Sequence, residues 1–94
     1  MIKNIKTYTV LFSGRVQGVG FRYFTITAAE QFNMKGFVKN VQDGKVEIIC
    51  QGGEEELKPF IEELKKGPAF SVITEVLIKE IPENKQYNSF EIKY

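Results

Sequence analysis

The spacing of apolar side chains changes several times along the chain, and each change marks an element. Residues 5–12, Ile-Lys-Thr-Tyr-Thr-Val-Leu-Phe, are dominated by β-branched and aromatic side chains and stop at Ser13-Gly14, which predicts a first strand. From Phe21 the period lengthens. Phe21, Phe24, Ala28 and Phe32 fall on one helical face with Ile26 and Ala29 beside it, so a helix is expected over about 21–32. Asn33 or Gly36 can take the left-handed position that ends it. Residues 37–41 read as a second strand, Asp43-Gly44 as a two-residue hairpin turn, and residues 45–50 as a third strand. Gly52-Gly53 opens a second helix with Glu54, Glu55 and Glu56 in its first turn, where acids suit the positive end of the helix dipole. Leu57, Phe60, Ile61 and Leu64 make its buried stripe, and Lys65-Lys66-Gly67-Pro68 closes it. Residues 72–81 alternate, with Val72, Thr74, Val76, Ile78 and Glu80 on one side and Ile73, Glu75, Leu77, Lys79 and Ile81 on the other. Pro82 to Lys85 reads as a turn, and residues 89–94 alternate again with Phe90, Ile92 and Tyr94 on one face.

This order, β-α-β-β-α-β with a C-terminal strand added, is an α+β, ferredoxin-like plan: an antiparallel sheet with two helices on one face. Strand one is central in that plan. The loop leaving it meets the start of helix one, where unpaired N–H groups point outward. The 94 residues are expected to form one domain, 1–94, without repeats or linkers. A net charge of +1 gives no strong field toward nucleic acid or an acidic membrane. The short apolar run Tyr8 to Phe12 is interrupted by Thr9 and is neither a signal peptide nor a membrane span. A single cysteine, Cys50, permits no intrachain disulfide and points to a reducing, cytoplasmic setting. The absence of histidine removes the usual general base and a phosphohistidine intermediate, and speaks against a transition-metal site.

The chemistry concentrates in Ser13-Gly14-Arg15-Val16-Gln17-Gly18-Val19-Gly20-Phe21-Arg22, which holds three glycines and both arginines of the protein. Glycines let amides turn toward one point, and a guanidinium supplies a charged fork of donors; together they suit a phosphoryl group. A Walker A loop is excluded because no Lys-Ser/Thr follows Gly18 or Gly20. A dinucleotide fingerprint fails at Tyr23, where a glycine is required, and a cysteine-phosphatase loop starting at Cys50 fails at Glu56, where an arginine is required. What remains is a cradle of amides from Val16 to Gly20 with Arg22 in the first helical turn. Arg15 reads equally well as a solvated loop residue, and Gln17 and Gly20 as structural parts of the loop. Taken by itself, Asn40 reads as a strand-end residue satisfying the hairpin backbone.

Gly14-Arg15-Val16-Gln17-Gly18-Val19-Gly20-Phe21-Arg22 resembles the signature of the acylphosphatase family. Gly36-Phe37-Val38-Lys39-Asn40 followed by Asp43-Gly44-Lys45-Val46-Glu47 is similar to its second motif, with Phe37 and Lys39 where the family typically has tryptophan and arginine. Gly67-Pro68 and the closing Phe90-Glu91-Ile92-Lys93-Tyr94 also fit. The resemblance implies that Arg22 and Asn40 are the catalytic pair and that Arg15, Val16, Gln17, Gly18, Val19, Gly20 and Phe21 bind substrate. It implies hydrolysis of the carboxyl–phosphate bond of acyl phosphates to a carboxylate and inorganic phosphate, without metal or cofactor.

Two other readings carry over. A domain of this kind could bind phosphate or carbamoyl phosphate without turnover, as in the N-terminal part of hydrogenase maturation proteins; the end of this chain at Tyr94 favours the freestanding enzyme. An RNA-binding sheet is disfavoured, because strand three carries no aromatic side chain for base stacking. The expected partners are therefore a small acyl phosphate and its product, with no nucleic acid and no membrane. A monomer is expected, although strand four is long and at a sheet edge could pair with another chain.

Overall fold

In the computed structural model, which describes residues 4–82 and 85–94, the expected order of elements is present: β1 (Ile5–Arg15), α1 (Phe21–Gln31), β2 (Lys35–Asn40), β3 (Val46–Gly53), α2 (Glu54–Lys66), β4 (Val72–Ile81) and β5 (Phe90–Lys93). The strands form a five-stranded sheet in the order β4-β1-β3-β2-β5. β1 is interior, between β3 and β4.

Both helices lie on one face of the sheet. Val10 and Phe12 of β1, Val46, Ile48 and Cys50 of β3 and Val38 of β2 are buried there against Phe21, Ala28 and Ala29 of α1 and Leu57, Phe60 and Leu64 of α2. The rings of Phe32 and Phe60 meet edge to face at 6.4 Å, and Phe60 meets Phe90 of β5 at the same distance. α2 runs through Pro59 at an exposed position, so the buried stripe on its other face outweighs the lost hydrogen bond.

The sheet differs from the expected one in a single pairing. β5 runs parallel to β2, so the sheet is mixed rather than wholly antiparallel. The cause is the crossing: β4 ends at one end of the sheet, the chain passes to the far edge, and it re-enters in the direction of β2. Gln51, 8% exposed, holds that crossing. Its amide donates to Thr7 Oγ1 and to the Lys85 carbonyl, each at 2.9 Å, and its Oε1 accepts from the Tyr87 amide at 3.0 Å. Residues 83 and 84 of the expected Pro82–Lys85 turn lie outside the described residues.

Several boundaries also move. β1 continues to Arg15, past the expected end at 12, because Gly14 adopts φ 120° and the register against β4 shifts there. A Cβ on Gly14 would stand 2.0 Å from the Val72 carbonyl oxygen, so only glycine fits this close approach. The shift leaves Thr74 without an opposite residue and breaks the alternation of β4. Ile73 and Val76 both pack on the core, although the sequence pattern places them on opposite sides. α1 ends at Gln31, and Asn33 at φ 56° takes the left-handed turn. Gly36 lies instead inside β2. The β2–β3 connection is a 3-10 turn, Gln42–Gly44, closed by the Val41 amide donating to the Lys45 carbonyl at 2.9 Å, and so one residue longer than the expected hairpin turn. β3 extends to Gly53, which also caps α2.

Cys50 is buried on β3, and burial pushes its thiol up to about 12 from 9.0. Native protein at pH 8 should resist iodoacetamide, while protein in denaturant should be alkylated at once. The sign for stability follows from the same shift. The protonated thiol is favoured in the folded state, so its contribution is complete below pH 9 and falls as pH rises toward 12. Replacing Cys50 with Val should flatten that alkaline slope in urea titrations between pH 9 and 11.

Candidate active site

The end of the sheet where β1 and β2 terminate carries the residues singled out in the sequence. Val16 leaves β1 and turns its side chain into the core, 1% exposed, so only its backbone is available to a ligand. Phe21 is buried likewise and packs on Phe12 at 5.1 Å. These two apolar anchors fix the ends of the loop between them. Gly18 and Gly20 stand at φ 74° and 83°, and a Cβ on either would meet nothing within 4 Å. Their glycines are thus required by backbone conformation, and the space above the loop is open.

Gly20 is the N-cap of α1 and makes no side-chain cap bond, having no side chain to offer. Its carbonyl accepts the first helical bond, from the Phe24 amide at 3.0 Å. Among the described residues no carbonyl accepts from the amides of Gln17, Gly18, Val19 or Gly20. Together with the unpaired amides of the first helical turn, they form a cluster of donors at the positive end of a helix dipole.

Arg22 sits in that first turn, half-buried, with its guanidinium carbon 5.2 Å from the centre of the Tyr94 ring. Tyr94 follows Lys93, which pairs with Lys39, so the parallel register of β5 and β2 carries Tyr94 to the level of Asn40. Asn40 is the last residue of β2 and shares the helix-side face with Gly36 and Val38. Arg22 and Asn40 are thus brought to the same end and the same face of the sheet. Arg15 is not. It is the last paired residue of β1, opposite Val72, and alternation places its exposed side chain on the open face with Ser13.

Gln17 joins the two halves. Its side-chain amide donates to the carbonyls of Val41 and Lys45, each at 2.9 Å. Val41 is the residue after Asn40, so this pair of bonds sets the loop against the end of β2. Gln17→Ala should lower the unfolding free energy by about 1–2 kcal/mol, because the part-buried Val41 carbonyl loses its donor and the Lys45 carbonyl is left with the Val41 amide alone. It should also weaken inorganic phosphate binding roughly three- to tenfold, since the loop loses its fixed distance from Asn40. Chemical denaturation and competitive inhibition measure the two effects separately.

Phe37 and Lys39 lie on the open face. Lys93 Nζ stands 4.2 Å and Lys39 Nζ 5.9 Å from the Phe37 ring centre, and Tyr87 packs edge-on at 6.2 Å. The departures from the second motif therefore fall on the side of β2 away from Asn40. Among the described residues no group of three or more His, Cys, Asp or Glu is placed to hold a metal ion, and no helix is long and apolar enough to cross a membrane. In the sequence Tyr94 reads as a strand residue within the closing motif; its place against Arg22 depends on the parallel pairing of β5, for which the local pattern carries no signal.

A family model described as Acylphosphatase matches residues 8–92. An acylphosphatase of Bacillus velezensis is 48% identical over 93% of this chain and 97% of its own length. One of Thermotoga petrophila is 44% identical over 96% and 99%. Among solved structures, the acylphosphatase of Bacillus subtilis superposes with a TM-score of 0.91 at 40% identity, covering 97% of this chain and all of that one. Full-length HypF, crystallised in a phosphate- and nucleotide-bound form, matches with a TM-score of 0.93 at 37% identity, covering all of this chain and 12% of that one.

Proposed function

The chain belongs to the acylphosphatase family, and from that premise we propose that it hydrolyses the carboxyl–phosphate bond of acyl phosphates at the end of the sheet that carries Arg22 and Asn40. The observation that carries this reading is the convergence itself. Open loop amides and Arg22 stand at one helix terminus, and Gln17 ties that loop to the Val41 and Lys45 carbonyls, at the end of the strand that carries Asn40.

A carboxylate is a good leaving group, so an acyl phosphate needs positioning and charge stabilisation more than a strong base. The amides of residues 16–20 and the Arg22 fork bind the phosphoryl oxygens and take up the charge that develops on them. Each charge-assisted bond contributes on the order of 1.5–3 kcal/mol. The Asn40 carboxamide holds a water in line with the bond to be broken. The water oxygen bonds to phosphorus, the phosphorus–acyl oxygen bond breaks, and the carboxylate departs with the bonding pair. A proton of the water passes to a phosphoryl oxygen, which serves as acceptor where no histidine is available. No metal or cofactor takes part in these steps. The groups named all come from one domain spanning residues 1–94, and the buried, reduced Cys50 suits a cytoplasmic setting.

Benzoyl phosphate hydrolysis in the presence of EDTA, followed by ultraviolet absorbance, tests this. Turnover with inorganic phosphate as a competitive inhibitor is expected. Phosphate binding without turnover would instead assign the chain to the binding-module reading.

A further inference from the structure

The connection from α2 to β4 is a short, firmly built turn. The Gly67 amide donates to the Leu64 carbonyl at 3.1 Å, which closes α2. The Ser71 amide and the Ser71 hydroxyl then both donate to the Pro68 carbonyl, at 2.9 and 2.7 Å. Pro68 to Ser71 is therefore a hydrogen-bonded turn with Ala69 and Phe70 at its tip. Phe70 is 77% exposed, so its ring adds little to the core and its apolar area is open to a ligand.

The place of that ring follows from the strand register. Val72, at the start of β4, pairs with Arg15, the last residue of β1, and the loop of residues 16–20 begins at the next position. Turn and loop thus share one end of the sheet. The strand order puts β4 on one side of β1, and β3, β2 and β5 on the other. Asn40 at the end of β2 and Tyr94 after β5 lie on the second side, and Phe70 on the first.

We propose that Phe70 is a specificity residue, the surface on which the acyl group of the substrate packs, so that the chain prefers acyl phosphates with aromatic or bulky apolar acyl groups. This rests on the hydrolysis already proposed for the site. In an in-line displacement the entering and departing oxygens stand on opposite sides of phosphorus. With the water on the Asn40 side, the phosphorus–acyl oxygen bond points away from β2, toward the end of β1 and the start of β4. Three aromatic side chains near this end are strongly exposed: Tyr23, Phe70 and Tyr94. Tyr94 stands on the water's side, and Tyr23 is carried by α1, which packs against β2 and β5. Phe70 is the ring on the departing side. A ring that touches the acyl group alone binds it equally before and during bond breaking, so it acts on KM and leaves kcat unchanged.

Steady-state hydrolysis of benzoyl phosphate and of acetyl phosphate by the parent and by Phe70→Ala tests this. For benzoyl phosphate KM should rise about three- to tenfold, the range of one aromatic contact, with kcat within about twofold. For acetyl phosphate both constants should stay within about twofold, as should the inhibition constant of inorganic phosphate, because neither ligand reaches the ring. Phe70→Leu keeps apolar area and should restore part of the preference. The unfolding midpoint should not move, since the side chain is exposed. A Phe70→Ala protein that keeps the parent's ratio of kcat/KM between the two substrates would overturn the assignment and leave the hydrolysis standing. Tyr23→Ala lowering that ratio where Phe70→Ala does not would also overturn it, by placing the acyl group over α1. A parent that turns over neither substrate would overturn the hydrolysis and this assignment with it.

Discussion

Arg22→Ala is expected to lose both substrate binding and turnover. Arg22 stands in the first turn of α1, directly after the loop amides of Gly18 to Gly20, and its guanidinium lies against the Tyr94 ring at the end of the sheet where Asn40 closes β2. In the proposed mechanism its removal deletes a charge-assisted contact to the phosphoryl group in the ground state and a stronger one in the transition state. The inhibition constant of inorganic phosphate should rise on the order of 10- to 100-fold. kcat/KM for benzoyl phosphate should fall at least about 10²- to 10³-fold. Arg22→Lys keeps the charge without the planar fork and should recover only part of either quantity. The fold should hardly notice. Arg22 makes a ring contact with Tyr94, which is 95% exposed, and such a contact is worth only about 0.5–1 kcal/mol. An unfolding midpoint close to that of the parent, together with lost phosphate binding, would separate a binding role from a structural one.

Asn40→Ala should divide the two functions. The side chain is exposed at the end of β2, and the backbone of that residue is paired with Val46 whatever side chain it carries. The alanine variant should fold as the parent does and bind inorganic phosphate within about twofold, since the loop amides and Arg22 are untouched. Turnover should drop about 10²- to 10³-fold, the usual cost of removing one positioned donor or acceptor from a reacting centre. Asn40→Asp offers a second arm. Its carboxylate would face the phosphoryl charge, so it should lose phosphate binding as well as rate. An alanine variant that hydrolysed benzoyl phosphate at the parent rate would remove Asn40 from the chemistry and leave it as a strand-end residue.

Elements with a strong apolar period were legible in the sequence. α2 runs from Glu54 to Lys66 as its acidic first turn, buried stripe and Lys-Lys-Gly-Pro ending indicate. The order of elements and the two helices on one face follow from the same patterning. Pairing direction was not legible, because it is set by where the crossing after β4 lands. β5 reads the same whether it runs parallel or antiparallel to β2. The bulge opposite Thr74 was hidden for a related reason: it arises from Gly14 in another strand, and β4 alone shows only alternation.

The site divides in the same way. Glycines and arginines announced the loop, and the family's motifs pointed to Asn40. The side chain that binds loop to strand, Gln17, looked like one more polar loop residue, since its partners are the backbone carbonyls of residues 24 and 28 positions away. Arg15 is the converse. It sits within the loop motif in sequence, yet β1 extends far enough to claim its backbone, and alternation sends its side chain to the open face.

The central claim is that a water placed beside Asn40 attacks the phosphorus held by Arg22 and the loop. Hydrolysis of benzoyl phosphate by the parent protein in water enriched in oxygen-18, with the products resolved by mass spectrometry, tests it directly. The account predicts one labelled oxygen in inorganic phosphate and none in benzoate; label in benzoate would mean attack at the acyl carbon and would contradict it.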